Sequence, residues 1–290
     1  MMRGKQPMSV RMHVSGRLGN QLFQWAYAHV LEAKYGQPIL PIYDDLHNPE
    51  VAPSEDLLNT ICSHWRTPEK RNYFGLLLSC LDKIGFENRT HSMICRILNL
   101  SRTQISYDLP SISTKAPRQV TGYFQNVKSL EGISDLLFQE LSEKVTSINP
   151  PMNMPLNYQV LHVRRGDFDQ YSQSYGLLGP EFYEDNLIKN QPKVLCTDSV
   201  GGSEEIISRI KPDVVLGPNE TSAWQVLRIM MDATHVVMSN STLSWWGGFL
   251  AAKSGSSVVQ PRPFYKCVKT YVNQLEYSEF LQRQANFLEV

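Results

Sequence analysis

The sequence predicts an α/β protein. Short apolar runs alternate with helical patterns, glycine-containing turns join one to the next, and a single proline-rich segment interrupts the series. The chain has 290 residues, of which 42% are hydrophobic and 19% charged. That supplies a sizeable core for one large domain or two smaller ones, and it excludes a disordered or fibrous chain. The 28 basic and 28 acidic side chains cancel, which argues against nucleic-acid binding through bulk charge. Any anion must be held by a local cluster.

Residues 12–14 read as a strand, and the turn Ser15-Gly16-Arg17-Leu18-Gly19-Asn20 follows. Leu22, Ala26 and Val30 then recur at every fourth position, as do Phe23, Tyr27 and Leu31, so a helix is expected with Gly36 as its stop. Residues 38–43 read as a second strand and complete a βαβ unit. Residues 56–100 read as mostly helical, with Arg66, Lys70, Arg71, Arg89, Arg96 and Arg102 on solvated faces.

The second half alternates more densely. Strands are expected at 159–163, 194–196, 214–216, 235–238 and 258–259, and helices near 181–189, 224–231 and 244–252. Such alternation implies parallel sheets with helices on both faces. The segment 149–155, NPPMNMP, reads as a linker between residues 1–150 and residues 151–290, with a last helix packing back on the first domain.

No apolar run approaches the roughly 20 residues of a membrane helix. The best, residues 74–81, is short and contains Gly75 and Ser79. Residues 1–10 carry Arg3 and Lys5 without an apolar core, so no secretory signal is expected, and the expected location is cytoplasmic. The five cysteines, Cys62, Cys80, Cys95, Cys196 and Cys267, form no C-x-x-C, and no H-E-x-x-H occurs. Reduced structural thiols are expected, with neither a disulfide framework nor a metal site. In that compartment the N-x-S/T triplets at Asn88, Asn99 and Asn219 are accidental.

Three constellations carry possible chemistry. Gly16, Arg17, Gly19 and Asn20 lie at a strand-to-helix junction, where glycines permit close backbone approach and a helix N-terminus favours an anion. A tight turn without a ligand is the alternative there. His162-Val163-Arg164-Arg165-Gly166-Asp167 follows a strand, where an open α/β sheet forms its ligand crevice. Arg164 could grip a diphosphate with Asp167 holding an arginine in place, or an Arg–Asp pair could simply fix the loop. In Ser239-Asn240-Ser241-Thr242-Leu243-Ser244, backbone N–H groups and the Ser241 and Thr242 hydroxyls could cradle phosphate oxygens; helix capping by Ser241 and Ser244 is the alternative. Trp245 and Trp246 read as packing residues. Together the three describe a nucleoside diphosphate held between two α/β halves without a required metal.

These residues also carry a resemblance. His162-Val163-Arg164-Arg165-Gly166-Asp167 resembles the HxRRxD motif of the GDP-fucose-dependent fucosyltransferases. The segment Asn240-Ser241-Thr242-Leu243-Ser244-Trp245-Trp246-Gly247 resembles the NSSFSWWGA signature of the bacterial α-1,2-fucosyltransferase family. Gly19-Asn20-Gln21-Leu22-Phe23-Gln24-Trp25-Ala26 and Gly122-Tyr123-Phe124-Gln125 resemble that family's GNQMFQYA opening and GYWQ segment. The resemblance implies a GT-B architecture of two Rossmann-like domains facing across a cleft, acceptor half first and GDP-fucose half second. It implies inverting transfer of L-fucose from GDP-fucose to a galactoside hydroxyl of a glycan, without cofactor or divalent metal. It further implies O-antigen or capsule biosynthesis at the cytoplasmic face, where peripheral membrane association is open. Carried over, Arg164 neutralises the diphosphate and His162 sits near nucleotide or fucose. Asp167 orients that cluster, Asn240, Ser241 and Thr242 belong to the phosphate-binding turn, and Asn20 reaches in from the first domain. No general base is identified, with Asp44, Asp45 and Asp169 as candidates.

Two departures bear on specificity. Gly16-Arg17-Leu18-Gly19-Asn20-Gln21 is closer to the GRFGNQ of protein O-fucosyltransferases than to the GGLGNQ of the α-1,2 family, and residues 45–119 match nothing. Other linkages, O-fucosyl or α-1,6, therefore stay open. So do a metal-dependent transferase using Asp167-Phe168-Asp169 as a D-x-D triplet, and a sugar-nucleotide-binding protein without turnover.

Overall fold

The computed structural model describes residues 9–14, 16–43, 103–105, 115–267, 275 and 277–288. The expected helices of 56–100 and the candidates Asp44 and Asp45 lie outside them. The chain divides into two compact units, Met1–Ser134 and Asp135–Val290.

In the first unit, β1 (Val10–Val14), β2 (Ile39–Tyr43), β3 (Thr103–Ile105) and β4 (Gln119–Thr121) form a parallel sheet of order β2-β1-β4-β3. Helix α1 (Leu18–Tyr35) connects β1 to β2 and ends at Gly36, whose φ of 61° is the left-handed stop the sequence indicates. Its buried residues run almost without a break from Gly19 to Ala28, because two apolar stripes are flanked by buried Gln21 and Gln24. Tyr27 stacks on Phe124 at 4.2 Å, and together with Val10, Met12, Val14, Leu31, Ile39 and Val120 they form this unit's core.

The second unit opens with α2 (Ser134–Thr146), which belongs with the helices that follow and not with the first half. Arg228 Nη1 donates to the Thr146 carbonyl at 2.7 Å, and Lys253 pairs with Asp135 at 3.3 Å. The unit boundary consequently falls ahead of the proline-rich segment instead of within it. The strands are β5 (Gln159–Val163), β6 (Lys193–Thr197), β7 (Val214–Leu216), β8 (His235–Val237), β9 (Ser257–Arg262) and β10 (Leu281–Gln284). They form one parallel sheet of order β10-β9-β8-β5-β6-β7. Read from β7, this is the Rossmann strand order, with the first strand in the centre. All of β5 is buried, as befits a strand covered on both faces.

Helices α3 (Pro180–Glu184), α4 (Glu204–Ile210), α5 (Ala223–Asp232) and α6 (Thr242–Lys253) make the connections. A capping box between Ser222 and Gln225 starts α5. The helix expected near 181–189 stops at Glu184, because the Asn186 side chain takes the Phe182 carbonyl at 2.7 Å. That acceptor would otherwise serve the next helical turn. Residues 277–288 form no helix. They carry β10, and Leu288 N–H then donates to the Leu177 carbonyl at 2.7 Å.

Candidate functional site

A parallel sheet leaves a crevice where neighbouring strands send their connections to opposite sides. In the second unit this switch lies between β5 and β8: the chain runs from β5 outward to β7, then returns to β8 and proceeds to β10. The residues that follow β5 include Arg164 to Asp167, and those that follow β8 include Ser239 to Thr242. Two of the sequence constellations therefore meet at one point.

His162, buried on β5, bridges them, with Nδ1 3.0 Å from Ser239 Oγ. Burial and the neighbouring Arg164 cation push its imidazole down to about 3, so the ring is neutral at pH 7. Ser239 Oγ donates onward to Ser241 Oγ at 3.2 Å. Ser241 is the N-cap of α6 and accepts the Ser244 N–H at 3.2 Å, while Ser244 Oγ accepts the Ser239 N–H at 2.9 Å. The capping alternative is thus realised, and it coexists with an N-terminus presented at the crevice. Thr242 is the first residue of that helix.

Arg164 reaches two carboxylates. Nη2 pairs with Asp167, and Nη1 lies 2.7 Å from Asp198 Oδ2. The guanidinium also stacks over Phe168 at 5.3 Å. Arg165 does a different job, since its buried Nη2 donates to the Leu178 carbonyl at 2.7 Å and its Nη1 to the Arg164 carbonyl at 3.2 Å. It holds the loop, while Arg164 keeps a buried Nε without a hydrogen-bond partner among the described residues.

Asp198 escaped the sequence reading. It follows β6, accepts the Arg165 N–H at 2.8 Å and pairs with Arg164. Gly166 makes room for it: a Cβ there would stand 2.2 Å from Asp198 Oδ2, at a φ of +27°. The available signal was its position just beyond a predicted strand.

Asn240 is committed to structure on its amide side. Nδ2 donates to the carbonyls of Tyr175 and Gly176 at 2.8 and 3.0 Å and so fixes the loop beneath the crevice. Trp245 and Trp246 are buried in an aromatic cluster with Phe249, as packing residues. Gly247 lets α6 approach α5, since a Cβ there would lie 2.3 Å from Met230 Sδ. Asp169 lies on the helical turn Gly166–Tyr171, with its side chain outside what is described.

In the first unit β1 and β4 are neighbours in the sheet, so the turns that follow them lie side by side. Gly16 has a φ of +77° there, and its carbonyl accepts Gln21 Nε2 at 2.8 Å. Arg17 is exposed at the N-cap of α1, and Gly19 is buried in its first turn. Asn20 Oδ1 accepts Gln125 Nε2 at 2.9 Å, and Gln24 Nε2 donates to the Gly122 carbonyl at 2.9 Å. The glutamines thus tie the glycine turn after β1 to the Gly122–Gln125 segment after β4. Asn20 is placed with the first unit's turn. His162, Arg164, Asp167, Ser241 and Thr242 gather in the second.

Charged and hydrogen-bonding side chains at the switch of a Rossmann-ordered sheet define a parallel α/β protein with its ligand crevice at the strand ends. The sequence narrows that class: residues 103–277 match the model of glycosyl transferase family 11, and the chain belongs to this family of glycosyltransferases. It is 22% identical over 283 residues to the O-antigen biosynthesis glycosyltransferase WbnK of Escherichia coli, covering 87% of this chain and 93% of the relative. It is 24% identical over 181 residues to an Escherichia coli alpha-1,2-colitosyltransferase, covering 53% of this chain and 58% of that one. Similar solved structures include the NodZ alpha-1,6-fucosyltransferase soaked with GDP-fucose, with a TM-score of 0.43 and 10% identity over 84% of this chain and 93% of that one. The Escherichia coli ADP-heptose heptosyltransferase II reaches a TM-score of 0.49 with 11% identity, over 95% of this chain and 90% of that one. No described helix is long and apolar enough to cross a membrane.

Proposed function

We propose that this glycosyltransferase moves L-fucose from GDP-fucose to a galactoside hydroxyl, with inversion and in α-1,2 linkage, during O-antigen assembly. In this reading GDP-fucose binds against the second unit and the glycan acceptor against the first. The observation that carries it is the β5–β8 switch, where Arg164, His162, Ser241 and the N-terminus of α6 converge. The O-antigen assignment of one relative and the α-1,2 linkage named for the other support the pathway and the linkage.

In such a transfer the anomeric bond to the diphosphate breaks through an oxocarbenium-like state, and charge grows on the β-phosphate. Donors fixed in advance stabilise that charge. Here they are the free N–H groups of Arg164, the first turn of α6 and the hydroxyls of Ser241 and Thr242. Arg164 is balanced by Asp167 and Asp198 and the Arg165 guanidinium is spent on backbone carbonyls, so the site works through directed donors more than through net charge. His162, with its imidazole at about 3, is a poor general base and a good hydrogen-bond acceptor. Asp167 is engaged by Arg164, which favours the arginine-orienting role over a D-x-D metal ligand. A second reading, transfer of colitose to the same type of hydroxyl, is favoured by the colitosyltransferase relative.

The test is the shift in melting temperature with GDP, UDP, GDP-fucose and GDP-mannose in EDTA, followed by transfer to β-galactosides. A ligand at 100 times its Kd adds about 2.7 kcal/mol of stability. Selective stabilisation by GDP and GDP-fucose is expected. Stabilisation by UDP, or only once manganese is added, would overturn the reading, and GDP binding without any turnover of GDP-fucose would leave a binding protein.

A further inference from the structure

We infer that Ser239 is a positioning residue that fixes the proton of His162 on Nδ1, so that Nε2 accepts a hydrogen bond from a ligand hydroxyl or N–H and does not face a phosphate oxygen. The inference deepens the reading of the β5–β8 switch as the nucleotide-sugar site and rests on it for the identity of that ligand.

It follows from counting hydrogens along one chain of groups. The Ser244 backbone N–H can only donate, and it gives to Ser241 Oγ at 3.2 Å. Ser239 Oγ donates to the same oxygen at 3.2 Å. A hydroxyl owns a single hydrogen. Having given it to Ser241, Ser239 must accept at its 3.0 Å contact with His162 Nδ1. The ring nitrogen at that contact therefore carries the proton, and a neutral ring leaves its lone pair on Nε2.

The ring is kept neutral by what surrounds it. Arg164, two positions on, presents a cation that a second positive charge would oppose, and the carboxylates of Asp167 and Asp198 are spent on Arg164. Tyr183 meets only the His162 carbonyl, donating to it at 3.3 Å. Burial and Arg164 together hold the imidazole far below its ordinary range. Nε2 has no hydrogen-bond partner among the described residues.

The same count gives Ser241 the opposite polarity. With hydrogen bonds arriving from Ser239 and Ser244, its remaining capacity is its own hydrogen, which suits an anionic oxygen. Two side chains linked through Ser239 thus sort the ligand by polarity. A phosphate oxygen meets the Ser241 donor, and a hydroxyl or N–H of the sugar nucleotide meets the Nε2 acceptor.

The experiment uses the full chain labelled with 15N-histidine, the His162 signals being identified by their loss in His162→Gln. Ring 15N shifts report which nitrogen holds the proton. The expected pattern is a protonated Nδ1 and a bare Nε2, unchanged from about pH 5 to 8. Ser239→Ala should mix the two tautomers and raise the KM for GDP-fucose by about tenfold, with kcat moved far less, since one net hydrogen bond is worth up to about that factor. Ser239→Thr, which keeps the hydroxyl, should restore both. GDP-fucose should shift the Nε2 signal, and inorganic pyrophosphate should not.

A proton on Nε2, an imidazolium at pH 7, or a wild-type pattern in a folded Ser239→Ala would overturn the inference. So would an Nε2 shift with pyrophosphate equal to that with GDP-fucose. If Ser239→Ala does not fold, the wild-type spectrum and its response to the two ligands still decide. A protonated Nδ1 with no response to any GDP-sugar would support the tautomer lock and overturn the donor assignment instead.

Discussion

Removing Asp198 tests whether Arg164 is held in position from β6. Asp198→Ala takes away the carboxylate 2.7 Å from Arg164 Nη1 and the acceptor of the Arg165 N–H at 2.8 Å. An orphaned buried N–H costs about 1–3 kcal/mol, and the ion pair to Arg164, in which Asp198 Oδ2 makes no hydrogen bond among the described residues, adds about 1 kcal/mol. The full penalty of a deserted buried charge, about 3–5 kcal/mol, is not reached, because Arg164 keeps Asp167. A loss of about 2–4 kcal/mol is expected. For a domain of this size that is a fall in melting temperature of about 4–15 °C. Asp198→Asn keeps an oxygen for the Arg165 N–H and should lose about half as much. Arg164 then swings on a single tether, so the KM for GDP-fucose should rise by about tenfold in the alanine variant. The assay is thermal unfolding of wild type and both variants, beside donor-dependent transfer kinetics. A melting temperature within about 2 °C of wild type with an unchanged KM would refute the positioning argument.

Gly166→Ala should reach the same cluster from the other side. Its Cβ would stand 2.2 Å from Asp198 Oδ2, so a loss of about 1–3 kcal/mol is expected, and the double variant with Asp198→Ala should be clearly less than additive in a melting cycle. Arg164→Ala should lower turnover by about 10²–10³, the size seen for one lost oxyanion donor, and near-normal turnover in a folded variant would contradict the role. His162 should also shape acid stability. Its folded value of about 3 lies below the ordinary 6.5, so between those limits the unfolded chain binds the extra proton and stability falls as pH drops. The slope is about 1.4 kcal/mol per pH unit for this group, it adds to a contribution of the same sign from His235, and it should disappear from the melting profile of His162→Gln.

Much of this arrangement is local in sequence and could be read there. The strand that carries His162, the helix after Ser241, the stop at Gly36 and the packing role of Trp245 and Trp246 all follow from short-range pattern and residue type. Both modest alternatives, an Arg–Asp pair in the loop and serine capping of the helix, proved to be features of the site itself. Asp198 was not legible because its partners lie on another strand connection, and nothing in Cys196-Thr197-Asp198 announces which side chain it will meet. The division at Ser134 was hidden for the same reason, since α2 is claimed by contacts from Arg228 and Lys253 far along the chain. Asn186 shows the converse, a side chain that ends a helix whose apolar pattern continues.

The roles within the pair Arg164-Arg165 show how far composition can mislead about electrostatics. Two adjacent arginines suggest a basic patch, yet one donates to backbone carbonyls and the other faces two carboxylates. A buried guanidinium without partners would carry a heavy desolvation cost, so the loop gives each one partners before any ligand arrives and leaves only Arg164 Nε unmatched among the described residues. What a ligand gains is therefore geometry. In the proposed transfer, the first turn of α6, the remaining N–H groups of Arg164 and the hydroxyl of Ser241 would be donors already held in place when charge appears on a leaving phosphate. Fixed donors in a partly desolvated crevice stabilise developing charge without reorganising, whereas a flexible cation in water would lose much of that advantage to its own hydration. The four glycines and serines that make this possible, Gly166, Gly247, Ser239 and Ser244, each act by leaving space or by passing one hydrogen bond along.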